Sequence, residues 1–243
     1  MTNDELYNSL SKRFSTYYFK QNEIPSKDLI NTILEESLKI TPIFSNIWHH
    51  KVDVYGPEYA EDKRKVCIQT VEHLKSRKKY NSRERGEPGI EVLHKDLEEF
   101  EEAVKTGKVR KEGFRPNSEK IDITFNTQVM APYLLKFTFD KNVFGKIKPK
   151  ESLKGQKLKG WQGAMAQAYA IAIIANKYKV DSSFCGCFIF NDYNINKIWY
   201  NDDNIIKFVG LGYRDENCYE SPGSNNHLYK KRPNLNDNVI RWN

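Results

Sequence analysis

Two short cationic segments near opposite ends of the 243-residue chain carry the residue types that hold a phosphate. Arg13-Phe-Ser-Thr-Tyr-Tyr-Phe19 supplies a guanidinium and, two residues on, a hydroxyl, while Leu228-Tyr-Lys-Lys-Arg-Pro233 supplies Lys230 and Arg232. A guanidinium presents a planar fork to phosphate oxygens, lysine adds a point charge, and a serine hydroxyl donates or accepts beside them. Arg13, Ser15, Lys230 and Arg232 could thus close around one phosphate. On residue types alone, solvated charged termini are the simpler reading.

The remaining candidates for chemistry are poorer. Cys185-x-Cys187 lacks the two-residue spacer of zinc knuckles and thioredoxin-like pairs, and reads as core thiols. His49 and His50 are possible metal ligands, but adjacent residues on a strand face opposite sides, which favours packing or a substrate-pocket role. Gly210-Leu-Gly212 is the start of a dinucleotide-binding turn without its helix, because Arg214 to Asn226 is polar and broken by Pro222-Gly223. No metal site and no Rossmann site is expected.

The elements that must position these residues follow from periodicity. Residues 3 to 12 form a short helix capped by Asn3 or Asp4, with Leu6 and Leu10 four apart. A firmer helix starts at N-cap Ser26, carries the stripe Leu29, Ile30, Ile33, Leu34, Ser37 and Leu38, and ends at Thr41-Pro42. Val52 and Val54 alternate in a strand that stops at Gly56-Pro57. Two further helical patterns follow, one through Val66, Ile68, Val71 and Leu74, the other through Ile90, Leu93, Leu97, Phe100 and Val104. Ile121 to Phe125, Tyr133 to Phe139, Phe184 to Phe190 and Ile205 to Val209 are strands rich in β-branched and aromatic residues. Gly163 to Tyr178 is helical and apolar around nearly its whole circumference, which requires either the centre of the domain or a subunit interface.

In this order the segments resemble the FMN-dependent nitroreductase family. Arg13-Phe-Ser-Thr-Tyr-Tyr-Phe19 with Ile24-Pro-Ser-Lys-Asp-Leu29 is similar to the family's opening Arg-x-Ser pair, short connection and amphipathic helix. Thr41-Pro-Ile-Phe-Ser-Asn46 with Trp48-His-His-Lys-Val52 resembles its Pro-Ser-x-x-Asn-x-Gln-Pro-Trp segment. Met130-Ala-Pro-Tyr-Leu-Leu-Lys-Phe137 resembles its Asp-Ala-Pro strand, and the alanine-rich helix its long central one. Val180-Asp-Ser-Ser-Phe-Cys-Gly-Cys-Phe188 is similar to the loop after that helix, and Lys230-Lys-Arg232 to the closing Lys-x-Arg. The likeness covers most of the chain except about 56 to 120.

The resemblance implies an α+β fold, a mostly antiparallel sheet flanked by helices, and an interlocked homodimer with two FMN molecules at the subunit interface. By the family pattern Arg13, Lys230 and Arg232 hold the FMN phosphate, Ser15 reaches the phosphate or the polar edge of the flavin, and Phe14 and Tyr17 stand within the same segment. Pro42, Ile43, Phe44 and Asn46 approach the flavin from the partner subunit. Cys185 and Gly186 fall where a backbone amide lies near flavin N5, and Asn126 and Gln128 meet the pyrimidine edge. A fixed donor there stabilises charge on the reduced ring without reorganising, so no side-chain acid or base is obligatory. The chain departs from the family at Tyr17, where a basic residue is usual, and at Ile43, where serine is usual. Trp48-His49 is at best a displaced Gln-Pro-Trp, and Ile43 with Phe44 makes the flavin face more apolar.

Composition bounds the rest. A chain of this length buries a sizeable core, and 4 Trp, 14 Tyr and 13 Phe supply it, so a single domain over 1–243 is expected. The charged stretch at about 78–120 reads as a peripheral insertion or lid. No apolar run approaches the roughly 18 residues of a membrane span, and the opening Met1-Thr-Asn-Asp-Glu-Leu6 is unlike a secretion signal. Four cysteines without a dense framework fit reduced thiols in the cytoplasm. The net charge of +7 favours anionic partners, but Lys and Arg are interleaved with Asp and Glu, as in Glu58-Tyr-Ala-Glu-Asp-Lys-Arg-Lys65, which argues for solvated helix faces over a nucleic-acid surface. The expected function is hydride transfer from NADH or NADPH through FMN to a small conjugated acceptor such as a nitroaromatic or quinone. The alternative is a non-redox binding protein that keeps the scaffold and uses its basic surface on nucleic acid or another macromolecule.

Overall fold

The computed structural model describes residues 10, 15–16, 19–43, 47–63, 127–140, 142–143, 153–185 and 205–214. Helix α1 (Lys27–Ile40) begins where expected: Ser26 is extended, at φ −64° and ψ 151°, and its hydroxyl accepts from the Leu29 amide at 3.2 Å. It ends at Thr41, whose amide and hydroxyl both donate to the Ser37 carbonyl, at 3.0 and 2.7 Å. Ile30, Ile33 and Ser37 are buried, with Leu29 and Leu34 packed beside them. Leu38, expected on this stripe, is exposed, because the buried face is narrower than the stripe and Leu38 lies one residue beyond Ser37.

Among the described residues, four strands form one antiparallel sheet. They are β1 (His50–Tyr55), β2 (Tyr133–Phe139), β3 (Asp181–Cys185) and β4 (Ile205–Gly212), in the order β1-β2-β4-β3. The β2 bounds and the stop of β1 before Gly56-Pro57 match the sequence reading. The strand expected at 184–190 instead starts at Asp181, and the stretch expected as a loop is paired. Ser182 and Ser183 masked this strand, since small polar residues have weak intrinsic strand preference, and pairing with the apolar β4 decides the matter. β4 runs on through Gly210-Leu-Gly212, so these glycines are ladder residues and not a phosphate turn. At Gly212 an added Cβ would lie 2.5 Å from Pro132 Cδ and 2.9 Å from Phe19 Cδ1, so only glycine admits both neighbours.

Helix α2 (Leu153–Lys177) starts ten residues before the expected apolar run and crosses one face of the sheet beside α1. Gln156, Gly160, Gly163, Ala164, Gln167, Ala168, Ile171 and Ala175 are buried on it. Gly160 and Gly163 let the helix reach the start of β1: a Cβ on Gly160 would sit 3.1 Å from the His49 carbonyl, and one on Gly163 would sit 3.3 Å from His50 Nδ1. The core between helices and sheet joins Ile30 and Ile33 to Tyr133, Leu135, Phe137, Val209 and Leu211. Leu158, Trp161 and Tyr169 are exposed on α2, so the helix is not covered on every side in a single chain. It closes in a left-handed cap, with Lys179 at φ 58°. Val180 N donates to Ala175 O at 2.9 Å, and Lys179 N to Asn176 O at 3.1 Å.

The two helical patterns within 64–126, the strand at 121–125 and the charged stretch at 78–120 lie outside the described residues. So does all of the 3–12 helix apart from helical Leu10.

Candidate functional site

The site begins at β3, which among the described strands pairs with β4 on one side. The segment around Ser15 and Thr16 fills the other side. Thr16 N donates to Ser182 O at 2.9 Å, and the Phe184 amide donates to Ser15 Oγ at 3.0 Å. Further along, Lys20 N donates to Tyr213 O at 2.8 Å and Phe19 bridges to Arg214. The segment therefore lies along β3 and satisfies the Ser182 carbonyl and the Phe184 amide, which would otherwise need water. Its consequence is that Ser15 stands beside Phe184, the residue before Cys185, although 169 residues separate them. Ser15 is partly exposed, and a hydroxyl that accepts one bond can still donate. The adjacent Thr16 hydroxyl and that of Ser182 are buried and find no partner among the described residues.

A second proposed segment meets the same strand. The 3₁₀ turn Thr127–Met130, which carries Gln128, packs against both β3 and β4. Gln21 Nε2 ties that turn to the N-terminal segment, donating to the Phe19 carbonyl at 2.9 Å and the Met130 carbonyl at 3.0 Å. Ser15, Cys185 and Gln128, drawn from three separate stretches of sequence, thus belong to elements that pack together. Pro42 and Ile43 follow α1 and lead toward β1 at the opposite edge of the sheet, two intervening strands from β3, roughly 14 Å at the usual strand spacing. Arg13, Phe14, Tyr17, Phe44, Asn46, Asn126, Gly186, Lys230 and Arg232 lie outside the described residues.

His50 projects from β1 toward α2. Its Nε2 is 2.7 Å from Gln167 Oε1, its ring stacks on Phe137 at 6.0 Å and meets Trp48 edge-on at 5.5 Å, while Nδ1 is buried with no hydrogen-bond partner among the described residues. Burial holds its pKa below the ordinary imidazole value; the Gln167 bond opposes this and His49 adds to it. His49 is buried as well, with Nδ1 3.1 Å from the Ile47 carbonyl. Both histidines are buried, and the described residues hold no cluster of three metal-ligating side chains.

Lysine 63 overturns one expectation. It sits within the charged run read as a solvated face, yet Lys63 is 2% exposed and donates to the carbonyls of Gly56, Ala131 and Pro132 at 2.9, 3.0 and 2.7 Å. Burial pulls its pKa down to about 7, against the upward pull of Glu58. Sequence reasoning missed it, and also missed Gln21 and Gln167, because nothing local distinguishes a caged polar side chain from a solvated one. The sole hint was position: Lys63 follows the Gly56-Pro57 turn by less than two helical turns.

No protein-family model matches the chain, and no curated protein does. Solved structures match over nearly its whole length. The FMN- and NADPH-dependent nitroreductase NfnB from Sphigopyxis sp. strain HMH aligns at TM-score 0.58 and 15% identity, covering 98% of each chain. NfnB from Mycobacterium smegmatis, solved in complex with NADPH, aligns at TM-score 0.58 and 15% identity over 100% of both chains. A nitroreductase with bound FMN from Bacteroides fragilis aligns at TM-score 0.54 and 15% identity over 99% of both. Identity this low carries the fold alone, and in its fold, an antiparallel sheet with flanking helices, this chain is nitroreductase-like.

Proposed function

We propose that this chain is an FMN-dependent oxidoreductase that takes hydride from NADH or NADPH and passes it to a small conjugated acceptor such as a nitroaromatic or quinone. The observation that carries the reading is the bond from the Phe184 amide to the Ser15 hydroxyl, which brings Ser15 to the strand that ends at Cys185, on a scaffold shared with an FMN-bound nitroreductase. Bound FMN would supply the hydride chemistry. Arg13, Lys230 and Arg232 would hold its phosphate, and Ser15, whose oxygen accepts from Phe184 N, would donate its one proton to the phosphate or to a flavin oxygen. The main-chain amide at Cys185 or Gly186 would supply the donor to N5, a fixed group that needs no reorganisation when charge develops. Phe14 and Tyr17 shape the same segment, and Asn126 and Gln128 meet the pyrimidine edge.

A second copy completes the site. Pro42, Ile43, Phe44 and Asn46 would reach the flavin of the partner chain, a reading supported by Pro42 and Ile43 lying before β1, at the sheet edge opposite β3. The exposed Leu158, Trp161 and Tyr169 of α2 give that homodimer an apolar contact. In this reading the charged stretch at about 78–120 would be a peripheral insertion or lid of a single domain, and the protein would work in the cytoplasm. The test is an absorbance spectrum of the purified chain with FMN, followed by anaerobic NADPH. Flavin bands that bleach on NADPH support the proposal. A colourless chain unaltered by FMN refutes it, and steeply salt-dependent duplex binding by such a chain would favour the non-redox alternative.

A further inference from the structure

Three consecutive main-chain carbonyls, those of Met130, Ala131 and Pro132, are each held by a side chain distant in sequence. Gln21 binds the first; the Lys63 ammonium binds the other two and spends its third proton on Gly56. A hydrophobe at position 63 would fill the same space without a desolvated amine, so packing alone does not account for a lysine there. What the ammonium adds is three directed bonds in a dry site, where each is stronger than in water. They join the Gly56 turn after β1 to the residues directly behind the Thr127–Met130 turn. Gln21 fixes the same stretch from the N-terminal segment, and that segment also carries Ser15.

We propose that Lys63 and Gln21 are positioning residues that clamp the Met130–Pro132 carbonyls and so hold the Gln128-bearing turn in register with the flavin's pyrimidine edge. The inference rests on the FMN reading above. Lys63 touches no ligand; it acts through the backbone it pins.

The experiment titrates FMN and riboflavin, which lacks the phosphate, into the wild type and three variants, Lys63→Met, Gln21→Leu and Arg13→Ala. It then measures the midpoint potential of bound flavin. Clamp variants should weaken FMN and riboflavin by the same factor, about tenfold for Lys63→Met and less for the more exposed Gln21. Arg13→Ala should weaken FMN alone. If the reduced ring depends more on the pyrimidine contacts, each additional tenfold loss for that form lowers the potential by about 30 mV. Should Lys63→Met fail to fold, Gln21→Leu carries the test, because it removes one bond and no buried charge. Folded clamp variants that bind both flavins like the wild type, with the same potential, overturn the clamp and leave the FMN reading standing. A loss confined to FMN also overturns the clamp, placing these residues with the phosphate. A wild type that binds neither flavin overturns the FMN reading, and the clamp falls with it.

Discussion

Replacing Gly160 and Gly163 with alanine, one at a time, tests how closely α2 approaches the sheet. Both glycines lie on the buried face of one helix, so both substitutions gain the same helix-propensity term, about 1 kcal/mol. They differ in what the new methyl meets. At Gly160 it would lie 2.8 Å from Phe139 Cδ1 and 3.1 Å from the His49 carbonyl. The ring can swing aside, but the carbonyl is fixed by a 3.0 Å bond from the Asp140 amide at the end of the β1–β2 ladder. At Gly163 the nearest atoms are His50 Nδ1 and Cε1, at 3.3 and 3.4 Å. Overpacking a fixed neighbour costs about 1–3 kcal/mol, so Gly160→Ala should be destabilising by about 1 kcal/mol net, while Gly163→Ala should be near neutral. In a chain of this length that gap separates the two Tm values by roughly 2–4 °C. Urea or thermal unfolding at one fixed protein concentration reads it directly. Equal shifts for both variants, or stabilisation by Gly160→Ala, would refute the close approach of α2 to β1.

Three further outcomes follow from the same geometry. Lys179→Gly should stabilise the chain by about 1 kcal/mol, seen as a higher urea midpoint, because Lys179 occupies a left-handed cap at φ 58° where a Cβ is disfavoured. Stability should fall on acidification: the folded-state pKa of His50 is lowered, so the unfolded chain binds the extra proton first. That contribution is complete above the ordinary value of 6.5, declines as pH drops below it, and is missing in His50→Phe when unfolding is followed from pH 8 to 5. Ser15→Ala leaves the Phe184 amide without its acceptor and removes one donor to FMN. It should raise the FMN dissociation constant roughly tenfold in a fluorescence titration, and an unchanged constant would remove Ser15 from the site.

The amphipathic α1, its Ser26 cap, β1 and the bounds of β2 were legible in the sequence, since each depends on local signals: a cap, a period, a proline or glycine stop. β3 was misplaced because Asp181, Ser182 and Ser183 have no apolar pattern of their own, and become a strand only when β4 and the Ser15 segment pair with them. Lys63 and Gln21 were illegible for a related reason. Their role depends on carbonyls of Met130 to Pro132, contributed from 68 and 109 residues away, and no local pattern encodes such a meeting. The order of segments along the chain was enough to state the family resemblance, which the solved structures bear out for the fold. Only tertiary structure could bring Ser15 to Phe184, or enclose a lysine in a run that reads as solvated, because hydrogen bonds and burial between distant segments are decided when the sheet and helices pack.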